Sequence, residues 1–136
     1  MVVLEGGNGN SIKVLIVDDE RLLIDNYMAL LGSERYEFST ATDGSEAMDK
    51  LRRNHYDMLI TDWCHPPGLD GIGLLREAKI LNKDIVVILI SGYLSDEGIN
   101  RAKELGCFAY GSKPFHLKKL RTVITKAFAE RKRYLR

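Results

Sequence analysis

Asp18-Asp19, Asp62, Ser91 and Lys113 are the residues of this chain best suited to chemistry, and each stands at or just beyond the end of a short apolar run. If those runs are neighbouring strands pointing the same way, three carboxylates, a hydroxyl and an ammonium gather at one edge. Carboxylates so gathered repel one another unless a cation sits among them. Oxygen-only ligands favour a hard ion, and Mg²⁺ typically takes one or two carboxylates together with waters and a phosphate oxygen. A lysine and a small hydroxyl close by suit a tetrahedral anion. An aspartate can itself attack phosphorus and form an acyl phosphate. The competing reading, that these acids merely cap turns and helices, suffices for Asp19 or Asp70 alone. It does not account for the whole set.

The stretch MLITDWCHPPGLDG, residues 58–71, poses the sharpest question, because a buried run stops at Asp62 and continues into Cys64-His65. A transition-metal site would need three or four ligands, and no second pair in the chain has metal-motif spacing. His55 and His116 fall in or near other connections. Cys64 and His65 are therefore expected to line the rim of the site. GLDGIG at 68–73 has the wrong spacing for a dinucleotide fingerprint, which should also follow the first strand. There the chain instead reads Asp-Asp-Glu, which would repel a pyrophosphate.

Five strand-length runs alternate with five helical patterns and position these residues. The strands are expected at Val14–Val17, Tyr36–Ala41, Asp57–Thr61, Ile85–Ile90 and Cys107–Tyr110. The run Ile85–Ile90 shows no polar alternation, as in a parallel strand covered on both faces. The first helix is expected to turn Leu22, Leu23, Tyr27, Leu30 and Leu31 inward and to end near Gly32. A second runs through Ala47, Met48 and Leu51, after the turn Asp43-Gly44. Asp70 suits the N-cap of a third, from about Gly71 to Leu81. A fourth spans Asp96–Leu105 with Gly106 as its stop, and a last spans Phe115 to about Phe128. Strict alternation implies an α/β doubly wound parallel sheet, in which ligands bind beyond the carboxyl ends of the strands.

At 136 residues the chain is of single-domain size, with 45% hydrophobic and 29% charged residues, ordinary values for a water-soluble domain. No apolar run is long enough for a membrane span and the N-terminus is no secretory signal, so a cytoplasmic location and no membrane partner are the expectation. Two cysteines, Cys64 and Cys107, suit a reducing compartment. Residues 1–112 carry 11 basic and 18 acidic side chains, whereas 113–136 carry 9 and 1. The basic end reads as a solvated helix running into a linker. No aromatic interleaving or nucleic-acid motif accompanies it, which argues against nucleic acid as a partner of this domain alone.

The motifs VLIVDDE (14–20), LITD (59–62), DG (70–71), ISG (90–92) and KPF (113–115) occur in the order and spacing of one family. Over about residues 12–128 the chain resembles the response-regulator receiver domain of two-component signalling. The resemblance implies a flavodoxin-like fold with strand order 2-1-3-4-5. It also implies that Asp62 is phosphorylated by a sensor histidine kinase or phosphotransfer protein in a Mg²⁺-dependent reaction. Asp19 matches the direct Mg²⁺ ligand, Asp18 the neighbour acting through water, and the Cys64 backbone carbonyl the third protein ligand. Ser91 matches the hydroxyl that bonds the phosphoryl group, Lys113 its cationic partner, and Tyr110 the aromatic switch position. Lys113-Pro114 matches a peptide bond often cis in the family. The spacing from Asp62 to Asp70 is eight positions, one more than usual in the family. Pro67-Gly68 suits the centre of an added type II turn, which would leave the Cys64 carbonyl in place.

The expectation is thus a phosphoacceptor switch: 1–11 a flexible leader, 12–128 the receiver domain, 129–136 a basic helix end or linker. It would carry out self-phosphorylation and dephosphorylation without being an enzyme toward free substrates. Its output would pass to an effector, or to a second copy, through the face of the fourth helix, fifth strand and fifth helix. It would stand alone or front a longer regulator. The alternatives are an aspartyl phosphatase, which would place its nucleophile on the first strand, and a receiver-shaped module that binds without phosphate.

Overall fold

A computed structural model describes residues 11–32, 34–62, 68–92, 95–113 and 116–135. The chain runs β1 (Ile12–Val17), α1 (Arg21–Leu31), β2 (Tyr36–Ala41), α2 (Gly44–Arg53), β3 (Met58–Thr61), α3 (Gly71–Leu81), β4 (Val86–Ser91), α4 (Asp96–Glu104), β5 (Ala109–Ser112) and α5 (Leu117–Leu135). All strand pairings are parallel and the order is 2-1-3-4-5. The doubly wound expectation therefore holds in full.

Successive side chains of a strand point to opposite faces, and here both faces are apolar. Leu15, Val17, Leu59, Val87 and Leu89 pack with residues of α2, α3 and α4. Their neighbours Val14, Ile16, Ile60, Ile88 and Ile90 pack with residues of α1 and α5. Parity thus decides which helices a strand residue meets, and it continues past the strand ends into the acids. At the opposite edge, buried Asp57 ties β1 to β3: its carboxylate accepts from the Lys13 amide at 2.9 Å, while its own amide donates to the Lys13 carbonyl at 2.8 Å.

Local signals set most boundaries. Asp43, Asp70 and Ser95 cap α2, α3 and α4, accepting from the amides of Glu46, Gly73 and Gly98. Three expectations need correction. Leu22 is 75% exposed, and the fully buried residues of α1 are Ile24 and Tyr27. Those two lie three apart on one face, whereas Leu22 is turned well away from them at 100° per residue. The fifth strand spans Ala109–Ser112, not Cys107–Tyr110. The Cys107 amide still closes the end of α4 onto the Ala102 carbonyl, and Gly106 takes φ +93° there. A polar, half-exposed edge strand leaves little apolar signal to find. Finally, α5 continues beyond Phe128 to Leu135.

Two glycines clamp the connection leading into α3. A Cβ on Gly44 would lie 2.0 Å from the Leu69 carbonyl oxygen, and one on Gly68, at φ +98°, 2.2 Å from the Ser45 amide nitrogen. Gly68 therefore has the φ that the third place of a type II turn demands, while its expected partner Pro67 lies outside the described residues. Gly68 and Leu69 rest directly on the N-terminus of α2. Gly44→Ala should cost about 1–3 kcal/mol of stability by overpacking, read as a lowered denaturant midpoint at unchanged slope. An unchanged midpoint would show that this approach can relax freely.

Candidate functional site

The parallel ladder carries two acids to one edge of the sheet. The Asp18 amide donates to the Ala41 carbonyl at 3.0 Å, extending the β1–β2 pairing by one residue, and the Asp62 amide donates to the Val17 carbonyl at 3.0 Å. Both carboxylates are buried, Asp18 at 2% exposure and Asp62 at 7%. Lys113 arrives from the other side, just past β5, where its amide donates to the Ser91 carbonyl at 2.6 Å. Its ammonium lies 2.8 Å from Asp18 Oδ2, 3.5 Å from Asp62 Oδ2 and 3.4 Å from Glu20 Oε1. The Glu20 contact is at the exposed rim and adds little. The pair with Asp18 is close and largely shielded from water.

Asp18 has a second task. Its Oδ1 accepts from the Glu20 amide at 2.9 Å, an Asx turn that leads the chain into α1. Burial pushes the Asp18 carboxyl above its ordinary range, and the charge of Asp62 adds to this. The bonds from Lys113 and the Glu20 amide act the other way without cancelling it. For Lys113, burial disfavours the ammonium, but the bond to Asp18 and the charges of Asp18 and Asp62 outweigh it. The net shift is upward, so the lysine stays charged. One ammonium against several carboxylates leaves the site short of positive charge.

Asp18, Asp19 and Glu20 each offer an oxygen, and these lie within 4.8 Å of one another. An all-oxygen set on a charge-deficient edge fits a hard divalent cation such as Mg²⁺. Glu20 adds to the residues expected from the sequence, where the run of three acids after β1 is its only signal. Ser91 ends β4, is buried, and is in register with Ser112. Tyr110 does not end its strand as the expectation had it. It pairs with Leu89, one pleat below Ser91, and its 37% exposed side chain lies under the Lys103 ammonium, 5.6 Å from the ring centroid. Trp63, Cys64, His65, Pro114 and Phe115 lie outside the described residues, and with them the Cys64 carbonyl and the Lys113-Pro114 bond.

A parallel sheet of this order, with a buried acid pair and a lysine at its carboxyl edge, defines the receiver class of α/β switch domains. The profile of the response regulator receiver domain matches residues 14–125, and the chain belongs to that family. It is 32% identical over 117 residues to sporulation initiation phosphotransferase F of Bacillus subtilis, covering 84% of this chain and 91% of that protein. It is 34% identical over 122 residues to the chemotaxis protein CheY of Pseudomonas aeruginosa, covering 86% and 96%. Against regulatory protein VanRB of Enterococcus faecalis it is 34% identical, covering 79% of this chain but 48% of the relative. The chain thus spans nearly all of some relatives and half or less of others. Among solved structures, a CheY-like receiver domain from Methanospirillum hungatei superposes with a TM-score of 0.84 at 27% identity, covering 91% and 98%. The chain is a phosphoacceptor receiver domain of two-component signalling, and acidic pockets in this family generally bind Mg²⁺. No helix among the described residues is long and apolar enough to cross a membrane.

Because Lys113 holds the Asp18 carboxyl down, Lys113→Met should raise the Asp18 pKa further, away from its ordinary value. A carboxyl-carbon NMR titration of both proteins checks this. An Asp18 midpoint that does not move would mean the ion pair does not govern its ionisation.

Proposed function

We propose that Asp62 is the phosphoacceptor, served by Lys113 and Ser91, with Asp19 and Asp62 as carboxylate ligands of Mg²⁺ and Asp18 reaching the ion through water. The observation that carries this reading is the Lys113 ammonium lying between the Asp18 and Asp62 carboxylates at the carboxyl edge of the sheet. An Asp62 oxygen attacks the phosphorus of a phosphohistidine on a kinase or phosphotransfer protein. The P–O bond forms as the P–N bond breaks, and the imidazole leaves with the electron pair and takes up a proton. When bound, Mg²⁺ supplies positive charge that offsets the phosphoryl oxygens and the carboxylates. Lys113, already poised beside Asp62, moves its donor bonds from Asp18 toward the new phosphoryl oxygens, which are stronger acceptors in the same place. The Ser91 hydroxyl donates to another phosphoryl oxygen. The Cys64 carbonyl would complete the ligand set.

A histidine kinase as donor is supported by 32% identity over 130 residues to a segment of the sensor histidine kinase RcsC of Escherichia coli, although that segment is 13% of the relative. The cytoplasm is the natural location for such a partner. The readout surface is the α4–β5–α5 face, where Tyr110 and Lys103 stack in the open. Drawing Ser91 toward the phosphoryl group would free space for the Tyr110 ring to turn inward and alter that surface for an effector or a second copy. The reaction turns over only the domain's own acyl phosphate, so the chain is not an enzyme toward free substrates.

Acetyl phosphate with Mg²⁺ should add one phosphoryl group to the wild type and none to Asp62→Asn, by intact-protein mass. Equal labelling of the mutant would remove Asp62 from its role, and sustained hydrolysis of a small phosphomonoester would favour a phosphatase instead. Mg²⁺ titration followed by fluorescence of Trp63, the single tryptophan, should be strongly weakened by Asp19→Ala. An unchanged midpoint would take Asp19 out of the ligand set.

A further inference from the structure

Tyr27 is an odd residue to find where it is. It is 1% exposed in the α1/α5 core, and its hydroxyl has no hydrogen-bond partner among the described residues. Native proteins seldom leave a buried hydroxyl unpaired, because its desolvation is uncompensated. The fully buried side chains around it are apolar, so a phenylalanine would fill the same volume without the penalty.

Three features put Tyr27 on the face of the sheet that carries the acids. Tyr27 packs in the same cluster as Ile16 and Ile60, which precede Asp18 and Asp62 by two residues and so share their face of the sheet. The ladder bonds of the Asp18 and Asp62 amides keep that parity past the strand ends. Helix α1 begins at this edge and descends, and side chains on a helix tilt back toward its N-terminus, which aims the ring upward at the edge. The electrostatic surroundings agree. Burial first, and then the charge of Asp18, with smaller contributions from Asp62 and Glu20 against Lys113, push the phenol up to about 12. It is a protonated donor throughout the physiological range.

We propose that Tyr27 is a positioning residue whose hydroxyl serves as a reserve donor for Asp18, engaged when Lys113 turns from Asp18 to a phosphoryl group on Asp62. In the structure Asp18 Oδ2 is served by Lys113 at 2.8 Å and Oδ1 by the Glu20 amide at 2.9 Å. Loss of the lysine bond would leave a buried carboxylate short of one donor at the moment Asp18 must help hold the cation. A phenol packed on the same face of the sheet can take over that bond. The penalty is then borne by the resting state and removed in the phosphorylated one, which biases the switch toward the loaded form. This rests on Asp62 being the phosphoacceptor.

The test compares wild type, Tyr27→Phe and Asp62→Asn with Mg²⁺ and beryllofluoride, an analogue of the phosphoryl group, on protein carrying ¹³Cζ-tyrosine. The wild-type Tyr27 phenol carbon should shift on loading. Tyr27→Phe should be at least as thermally stable as wild type when free, yet bind beryllofluoride roughly tenfold more weakly, the loss of one charge-assisted bond. A merely structural hydroxyl would change both states alike. If wild type responds to beryllofluoride while the Tyr27 carbon stays unmoved and Tyr27→Phe binds equally well, the proposal is overturned and the phosphoacceptor reading stands. If wild type does not respond, or Asp62→Asn responds equally, both fall together.

Discussion

The Lys113 ammonium is the one positive charge set among the acids of the described edge, and the rest of the structure can be understood as the means of keeping it there. An ammonium in water would gain little from a carboxylate at 2.8 Å. Here Asp18 is buried and Asp62 nearly so, which makes the same contact worth more and makes an unpaired acid costly. Yet the pairing is incomplete by design. Asp18 remains pushed above its ordinary pKa despite its lysine partner, so the edge retains an appetite for a cation and for whatever can draw the lysine away.

Holding this arrangement requires strands from different parts of the chain. Asp18 follows β1, Asp62 follows β3, and Lys113 is fastened to the end of β4 through the Ser91 carbonyl. Only with β3 between β1 and β4, and β5 outside β4, do these ends meet. The two cores enforce that order. Every residue of β4 is buried, so it can only be an interior strand, and the alternate residues of β1, β3 and β4 supply the α2–α4 and α1/α5 layers separately. The side opposite the site is locked independently by Asp57 and Lys13, leaving the carboxyl edge as the place where loops and charges can rearrange. The glycine clamp of Gly44 and Gly68 limits how far the connection into α3 can follow such movement.

Much of this was legible in the chain itself. Apolar runs punctuated by Asp18, Asp62 and Ser91 fixed the number, type and direction of the strands, because a run buried on both faces and separated by helix-length segments has only a parallel solution. Asp70 announced the start of α3 through its own capping chemistry, and Gly106 the end of α4. These are local effects, carried by a residue and its near neighbours. The spacing of the acids at strand ends also sufficed to bring Lys113 and Asp62 into one site.

Tertiary structure alone decided the remainder. Helical periodicity admitted Leu22 to the buried face of α1 along with Tyr27, but packing against the sheet buried Ile24 beside Tyr27 and left Leu22 in solvent. The fifth strand begins at Ala109, since the Cys107 amide is taken by α4 and an edge strand needs no apolar run to pair. Tyr110 falls one pleat below Ser91 because register is set by the β4–β5 ladder, which no local signal encodes. The unpaired hydroxyl of Tyr27 is of the same kind. A sequence shows a tyrosine at a core position, but only the packing of α1 into the cluster it shares with β1, β3 and α5 decides that its oxygen has no partner among the described residues and which charges act on it.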